Sequence, residues 1–307
     1  MCSPQTLVAG HLDIDTIVTD MGEASDVLGG SALYTSVAAS LHDSPIGVIS
    51  TICPDNVGSR FDEVARERLE PNVVHTLGSQ RHNHMDYSTE TSGKSDRLSI
   101  DYQRKTWQEK CEVHAPRHRP SGYGEATEVI HLSPMLPRYQ RLYAEWADER
   151  GLIISLDSSE YYTTHFAEEL KDLLSLVDLL LLSEVEVRQI VPEVADDPYA
   201  AIRQLLAKGP SVVVVRQGEE GCLVADRDAR YSFDALPTTV VDPTGAGDSF
   251  NGGFISMYPT SDLAESCACG LATAKHCVEE FGTKGLLNSS LEDIQRDENN
   301  VKWALLD

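Results

Sequence analysis

Positive charge is scarce in this chain of 307 residues. It carries 25 Lys and Arg against 49 Asp and Glu, a formal net charge of −24. Such a field repels nucleic acid and anionic membrane surfaces, so neither is expected as a partner. Few lysines beside many aspartates point to a high-salt habitat, with an ordinary acidic enzyme as the alternative. Long apolar runs are missing as well. "LLLL" at 179–182 and "VVVV" at 212–215 fall far short of the roughly 18–20 residues that span a bilayer. They suit buried strands of a parallel sheet instead. The seven cysteines are odd in number and scattered, which excludes a disulfide framework and fits a reducing cytoplasm. The opening "MCSPQTLVAGHLDID" has neither a basic segment nor a long apolar core, so it does not read as a signal peptide. No internal repeat and no low-complexity linker interrupts the sequence.

What is present is a regular alternation. Strands are expected over 5–10, 46–52, 128–133, 152–157, 177–182, 211–216 and 221–226. Helices are expected over 31–42, 58–69, 137–150, 164–175, 197–208, 246–257 and 262–279. Strand–helix alternation over this length predicts one α/β domain across 1–307, a doubly wound, mostly parallel sheet with helices on both faces. Residues 73–113 break the rhythm: they are polar, β-prone and contain the turn-like "TSGKSD". With the alternating stretch 11–27, they are expected to form a small β-sheet projecting from the core as a lid.

The most informative stretch is "DPTGAGDSF" at 242–250, between a β-branched segment and a helix. Gly245 and Gly247 allow a tight turn with backbone N–H groups close to a ligand. Those groups open a helix whose dipole favours negative charge, the requirement of a transferring phosphoryl group. Asp248 follows directly. It either complements the helix dipole or accepts the proton of an attacking hydroxyl.

This nonapeptide resembles the C-terminal signature of the ribokinase-like carbohydrate kinases, the PfkB family, D-T-x-G-A-G-D-x-F, here with Pro243 as the second residue. The resemblance implies that Asp248 is the catalytic base and that Gly245, Ala246 and Gly247 form the anion hole. It also implies that Asp242 and Thr244 stand where family members often bind a monovalent cation such as K⁺. "LGGSALYTSVAASLHDSPIGVISTICPDNVGSRF" at 28–61 resembles the family's N-terminal signature. Gly29 and Gly30 match its diglycine, which touches substrate and hinges the lid, and Asp55 and Gly58 match its later Asp and Gly. Tyr34 stands where the family often has asparagine, which leaves substrate identity open.

Other segments extend the resemblance over almost the whole chain. In "GHLDID", Asp13 and Asp15 alternate onto one face, and acceptor-only carboxylates suit a polyol. Solvated edge-strand charge is the competing reading. Glu186 in "LLSEVEVRQI" matches a glutamate that helps organise magnesium and phosphate, while Ser183 replaces asparagine and Glu184 offers a second carboxylate. In "VVVVRQGEEG", Gly218 matches a glycine beside the nucleotide. Arg216 replaces a small hydroxyl residue there and would either grip ATP phosphates or pair with Glu219 or Glu220. Gly282 and His276 fall in the segment expected to flank the adenine.

Several features carry no function of their own. "SGKS" at 92–95 lacks the upstream glycine of a phosphate-binding loop. His82 with His84, and Cys267 with Cys269, lack a second pair at metal spacing, although His82, His84 and Tyr87 are placed to reach substrate from the lid. Arg81, Arg97, Arg104 and Lys105 around the lid form no recognised phosphosugar pocket, which favours an unphosphorylated acceptor. The expectation is therefore an ATP- and Mg²⁺-dependent kinase acting on a hydroxyl of a sugar, cyclitol or nucleoside. "GGSALYTSVAASL" and "LDSSEYY" lean toward the nucleoside and inositol kinases, and a homodimer through the lid follows from the resemblance. A catalytically silent binder on the same fold, or a vitamin-type kinase for pyridoxal or a hydroxymethylpyrimidine, are the alternatives.

Overall fold

The structure is a computed structural model. It describes residues 4–42, 46–52, 69–76, 82–87, 99–100, 126–194 and 196–306, together with Phe61 and Val64. Among these, ten strands build one sheet in the order β14-β13-β12-β11-β10-β9-β8-β1-β4-β5. Its members are β1 (Thr6–Ala9), β4 (Ile46–Ile52), β5 (Leu69–Thr76), β8 (Val129–Leu132), β9 (Ile153–Asp157), β10 (Leu179–Ser183), β11 (Val212–Arg216), β12 (Cys222–Ala225), β13 (Arg230–Phe233) and β14 (Trp303–Leu306). Pairing is parallel from β5 to β11 and antiparallel from there to β14.

The apolar runs explain the layers. Successive side chains of a strand point to opposite faces. Leu180, Leu182, Val213 and Val215 join the core under the helices Pro137–Asp148, Glu184–Ile190 and Pro198–Leu206. Leu179, Leu181, Val212 and Val214 join the core on the other face with Phe250, Phe254 and Leu271, from the helices Ala246–Met257 and Leu263–Val278. Both faces are covered, so the strands are apolar throughout rather than alternating. Each fully buried Leu or Val contributes about 1.5–3 kcal/mol.

A second sheet of four strands has the order β3-β2-β6-β7, formed by β2 (Asp13–Thr19), β3 (Gly22–Gly29), β6 (His82–Asp86) and β7 (Ser99–Ile100). This is the expected small sheet, with one correction. Residues 73–76, expected in the lid, continue β5 and pair in parallel with β4 in the main sheet. A β-prone sequence is compatible with either sheet, so composition does not mark the boundary. The "TSGKSD" turn, the cluster Arg81, Arg97, Arg104 and Lys105, and the pair Asp55 and Gly58 lie outside the described residues. So does most of the helix expected over 58–69. The helix expected over 164–175 is instead two short helices, Glu160–His165 and Ala167–Leu173, broken at Phe166. No described helix is long and apolar enough to cross a membrane.

Candidate active site

The site lies at the carboxyl ends of the parallel strands, where an open α/β sheet presents its crevice. The helix Ala246–Met257 opens there. Its N-cap, Gly245, is left-handed, with φ 76°. A side chain at Gly245 would be strained by that conformation, and its Cβ would stand 2.2 Å from the Tyr34 ring. The turn must therefore be glycine. The first-turn N–H groups lack acceptors within the helix. That of Ala246 finds only a long 3.3 Å contact to the Pro243 carbonyl. Asp248 sits in this first turn.

An arginine braces the turn from below. Arg216, at the end of β11, donates to both oxygens of Asp157 at the end of β9, with Nη2 to Oδ1 at 2.8 Å and Nη1 to Oδ2 at 3.2 Å. The same Nη1 donates to the Gly247 carbonyl at 2.8 Å and to Asn251 Oδ1 at 3.0 Å. Asn251 closes the ring by donating Nδ2 to Asp157 Oδ2 at 2.7 Å. Glu186 Oε2 lies 3.7 Å from Arg216 Nη2. A Cβ at Gly247 would reach to 2.8 Å of Arg216 Nη1, so the second glycine of the turn leaves room for the arginine. Arg216 was expected on ATP phosphates or paired with Glu219 or Glu220. It pairs with Asp157, and neither of those surface glutamates is among its described partners. A buried guanidinium seeks the nearest buried carboxylate.

This network sets the electrostatics. Although part of Asp248 remains open to solvent, the recess desolvates its carboxyl and pushes the pKa up to about 7. The Asp157 charge adds to the rise, Arg216 opposes it, and Asp13 adds again. Glu186 is likewise pushed up to about 7, by burial and then by Asp157, against the pull of Arg216. Burial raises Asp157 too, and Arg216 holds it back. The Arg216 charge survives its own burial because Asp157 and Glu186 outweigh the desolvation. Two carboxyls pushed toward neutrality in one cleft single it out as the candidate functional site.

The substrate-side residues converge on the same cleft. Asp13 and Asp15 are 2% and 1% exposed, which removes the solvated-edge reading. They divide the space: Asp13 acts electrostatically on Asp248, whereas Asp15 lies over Gly29, where a Cβ would stand 1.9 Å from its Oδ2. Gly30 caps the helix Ser31–Ser40. Tyr34 on that helix is 1% exposed, its ring against Gly245 and its hydroxyl without a hydrogen-bond partner among the described residues. It packs beneath the glycine turn. Burial holds its hydroxyl well above the ordinary tyrosine range, helped by Cys277, Asp15 and Asp242.

Asp242 is fully buried and accepts the N–H groups of Thr244 and Gly282, each at 2.8 Å. It thus ties the glycine turn to the Gly282 loop. Thr244 Oγ1 donates to the Tyr87 hydroxyl at 3.2 Å, and Tyr87 N–H bonds Val18 of β2, so the lid sheet is anchored to the same turn. Gly218 opens the β11–β12 connection with φ 62° and open space beside it. Ser183, Glu184 and His276 are engaged by neighbouring residues. Ser183 caps the helix Glu184–Ile190 in a reciprocal box with Glu186. Glu184 pairs with Arg188 on the surface. His276 commits Nε2 to Asp297 and Nδ1 to Ser289. The side chains of His82 and His84 are outside the described set.

Sequence reading missed Asp157 and Asn251. The available signals were an acid at the carboxyl end of a buried strand, in "IISLD", and an asparagine one turn after Asp248 that faces inward.

Comparison with known proteins follows the same lines. The pfkB family carbohydrate kinase model matches residues 12–289. The chain belongs to this family. A cytidine kinase of Thermococcus kodakarensis is 28% identical over 284 residues, covering 90% of this chain and 96% of that protein. A nucleoside kinase of Methanothermobacter thermautotrophicus is 26% identical over 305 residues, covering 94% of each. A putative ribokinase II of E. coli, solved in complex with ATP and Mg²⁺, superposes with a TM-score of 0.75 at 16% identity, over 97% of this chain and 99% of that one. The fold is ribokinase-like, and this pfkB-family chain is a phosphotransferase with an alcohol group as acceptor.

Proposed function

We propose that this protein transfers the γ-phosphoryl group of ATP, with Mg²⁺, to a hydroxyl of a nucleoside. The observation that carries the proposal is Asp248 at the mouth of the glycine turn, its carboxyl poised near neutrality beside buried Asp13. Above pH 7 Asp248 is largely ionised and accepts the acceptor's hydroxyl proton. The first-turn N–H groups of 245–247 face the charge that grows on the phosphoryl oxygens. Asp13 and Asp15 accept hydrogen bonds from sugar hydroxyls. Arg216 does not touch substrate in this scheme; it fixes the Gly247 carbonyl and Asp157, so the turn does not shift as charge moves.

Glu186 fits a magnesium site. It is a buried oxygen donor with one carboxylate oxygen spent on its own helix cap, and Mg²⁺ is held through one or two carboxylates while keeping several waters. When bound, Mg²⁺ neutralises phosphate charge, which this acidic chain needs. Asp242 keeps a lone pair on each oxygen beyond its two N–H partners, and K⁺ beside it is part of the proposal. Gly218 and Gly282 border the nucleotide. Nucleosides are favoured over other acceptors because both relatives described above carry that activity in their names.

ATP turnover across a panel of nucleosides, ribose, inositol, hexoses and pyridoxal tests this reading, with wild type beside Asp248→Asn. Turnover of nucleosides alone, lost in the variant, is expected. Retained ATP binding with no turnover of any acceptor would establish the silent-binder alternative instead.

A further inference from the structure

A second cluster of side chains lies away from this cleft. His42 follows the C-terminal end of the helix Ser31–Ser40, whose first residue borders the active site. Ten helical residues span about 15 Å. Cys269 projects from the inner face of the helix Leu263–Val278, fully buried, and Glu298 ends the helix Leu291–Glu298. The three elements pack in one core with Leu41, Ala272 and Ile294. His42 Nε2 stands 3.1 Å from Cys269 Sγ, and the nitrogen, sulfur and carboxylate oxygen all lie within 4.8 Å of one another. Glu298 Oε1 is buried, and the carboxyl hydrogen-bonds the Cys269 thiol, so the acid already faces the sulfur. Beside the cluster, a cavity of about 270 Å³ is lined by His42, Ser256, Gln295 and the strand starts Thr6 and Val129. It opens at the opposite edge of the sheet from Asp248.

We infer that His42, Cys269 and Glu298 form a binding site for a zinc-like divalent metal ion, with a water from the adjoining cavity in the fourth position. One nitrogen, one sulfur and one oxygen are a borderline-soft donor set that suits Zn²⁺ and disfavours Mg²⁺. The imidazole–thiol separation of 3.1 Å is close to the roughly 3.5 Å that bonds of about 2.0–2.3 Å subtend at a tetrahedral ion, so small side-chain shifts would complete the set. Charge balances: neutral imidazole, thiolate and carboxylate together offset the two positive charges. On binding, the S–H bond of Cys269 is exchanged for an S–metal bond and the proton passes to solvent. A Cys–His pair also describes a thiol nucleophile, but a sulfur with no exposed surface on an inner helix face is closed to any larger substrate. Three helix segments would be tied by the ion, so its role is to hold the fold together.

The experiment is equilibrium dialysis of the whole purified protein against Zn²⁺ in saturating Mg²⁺, with Co²⁺ spectra and thermal melting in parallel. Wild type is expected to hold one equivalent of zinc, to melt at higher temperature with it, and to give a thiolate–cobalt charge-transfer band. Cys269→Ser should lose the band and weaken zinc binding more than about tenfold, whereas Cys267→Ser, two residues away, should keep both. Glu298→Gln, at a partly exposed helix end that should still fold, should weaken binding by a similar factor. No bound zinc, cobalt bound without the thiolate band, or undiminished affinity in Glu298→Gln would each overturn the site.

Discussion

Arg216 and Asp157 meet as a fork on a fork, two hydrogen bonds of 2.8 and 3.2 Å between the ends of β11 and β9, which flank β10. The pair is almost fully enclosed, with side-chain exposures of 12% and 3%. Neither residue is a free recognition group. Together they form the floor on which the glycine turn rests, because the same arginine holds the Gly247 carbonyl.

Removing the arginine therefore has two readable effects. Arg216→Met leaves Asp157 and Glu186 uncompensated, and breaking a buried pair in this way costs about 3–5 kcal/mol. It also removes the positive charge that restrains Asp248, so the acid limb of kcat/KM should move above pH 7. Arg216→Lys keeps the charge but not the fork and should shift the limb less. A melting curve and a pH–rate profile check both; an unmoved limb would show that Arg216 does not act on the base.

Asp248→Asn should lower kcat about 10²–10⁴-fold and abolish the acid limb. Its effect on stability has the opposite sense. A carboxyl raised from 3.8 to about 7 by folding binds more protons in the folded state than in the unfolded state between those values. It stabilises the fold fully below about pH 4, and that contribution is lost as pH rises through 7. The asparagine variant should therefore be more stable than wild type at pH 8, with a flatter stability profile from pH 4 to 7. Denaturant midpoints across that range provide the measurement.

Tyr34 and Gly245 form a second testable contact. Gly245→Ala must place a methyl against the Tyr34 ring at positive φ, so phosphoryl transfer should collapse. Tyr34→Phe removes a buried hydroxyl that has no described partner, which is close to neutral. Stability should change by less than about 1 kcal/mol and acceptor KM should hold. A KM that rises severalfold with kcat unchanged would place the hydroxyl on the substrate after all.

Asp13→Asn separates binding from base tuning. Loss of its charge lowers the Asp248 pKa, so the acid limb should move to lower pH while acceptor KM rises. Asp15→Asn should raise KM without that movement, since Asp15 acts on Tyr34 and Gly29 rather than on Asp248. Parallel pH profiles for the two variants decide whether the aspartates divide the work.

The parallel sheet and the glycine turn were legible because both are local signals. Four-residue apolar runs mark strands covered on both faces, and Gly245 and Asp248 lie four residues or fewer apart. What stayed hidden depends on distant chain segments meeting. Nothing in "VVVVRQ" says that Arg216 turns toward Asp157, 59 positions earlier. The separation of His42 from Cys269, 227 positions, likewise defeats any reading by motif spacing. Residues 73–76 show the other failure: a β-prone sequence states that a strand forms but not which sheet receives it.

The net charge of −24 makes a final prediction about salt. Surface carboxylates repel one another, and at about 1 M salt the Debye length is only about 3 Å, so molar KCl should relieve that repulsion and raise Tm. The Asp157–Arg216 pair and the Glu186 carboxyl are buried and weakly screened, so the catalytic floor should persist. Turnover should therefore be retained in molar KCl, with Tm rising alongside it. Loss of turnover above a few tenths molar, while ATP still binds, would mean that the acidic surface is not an adaptation to salt.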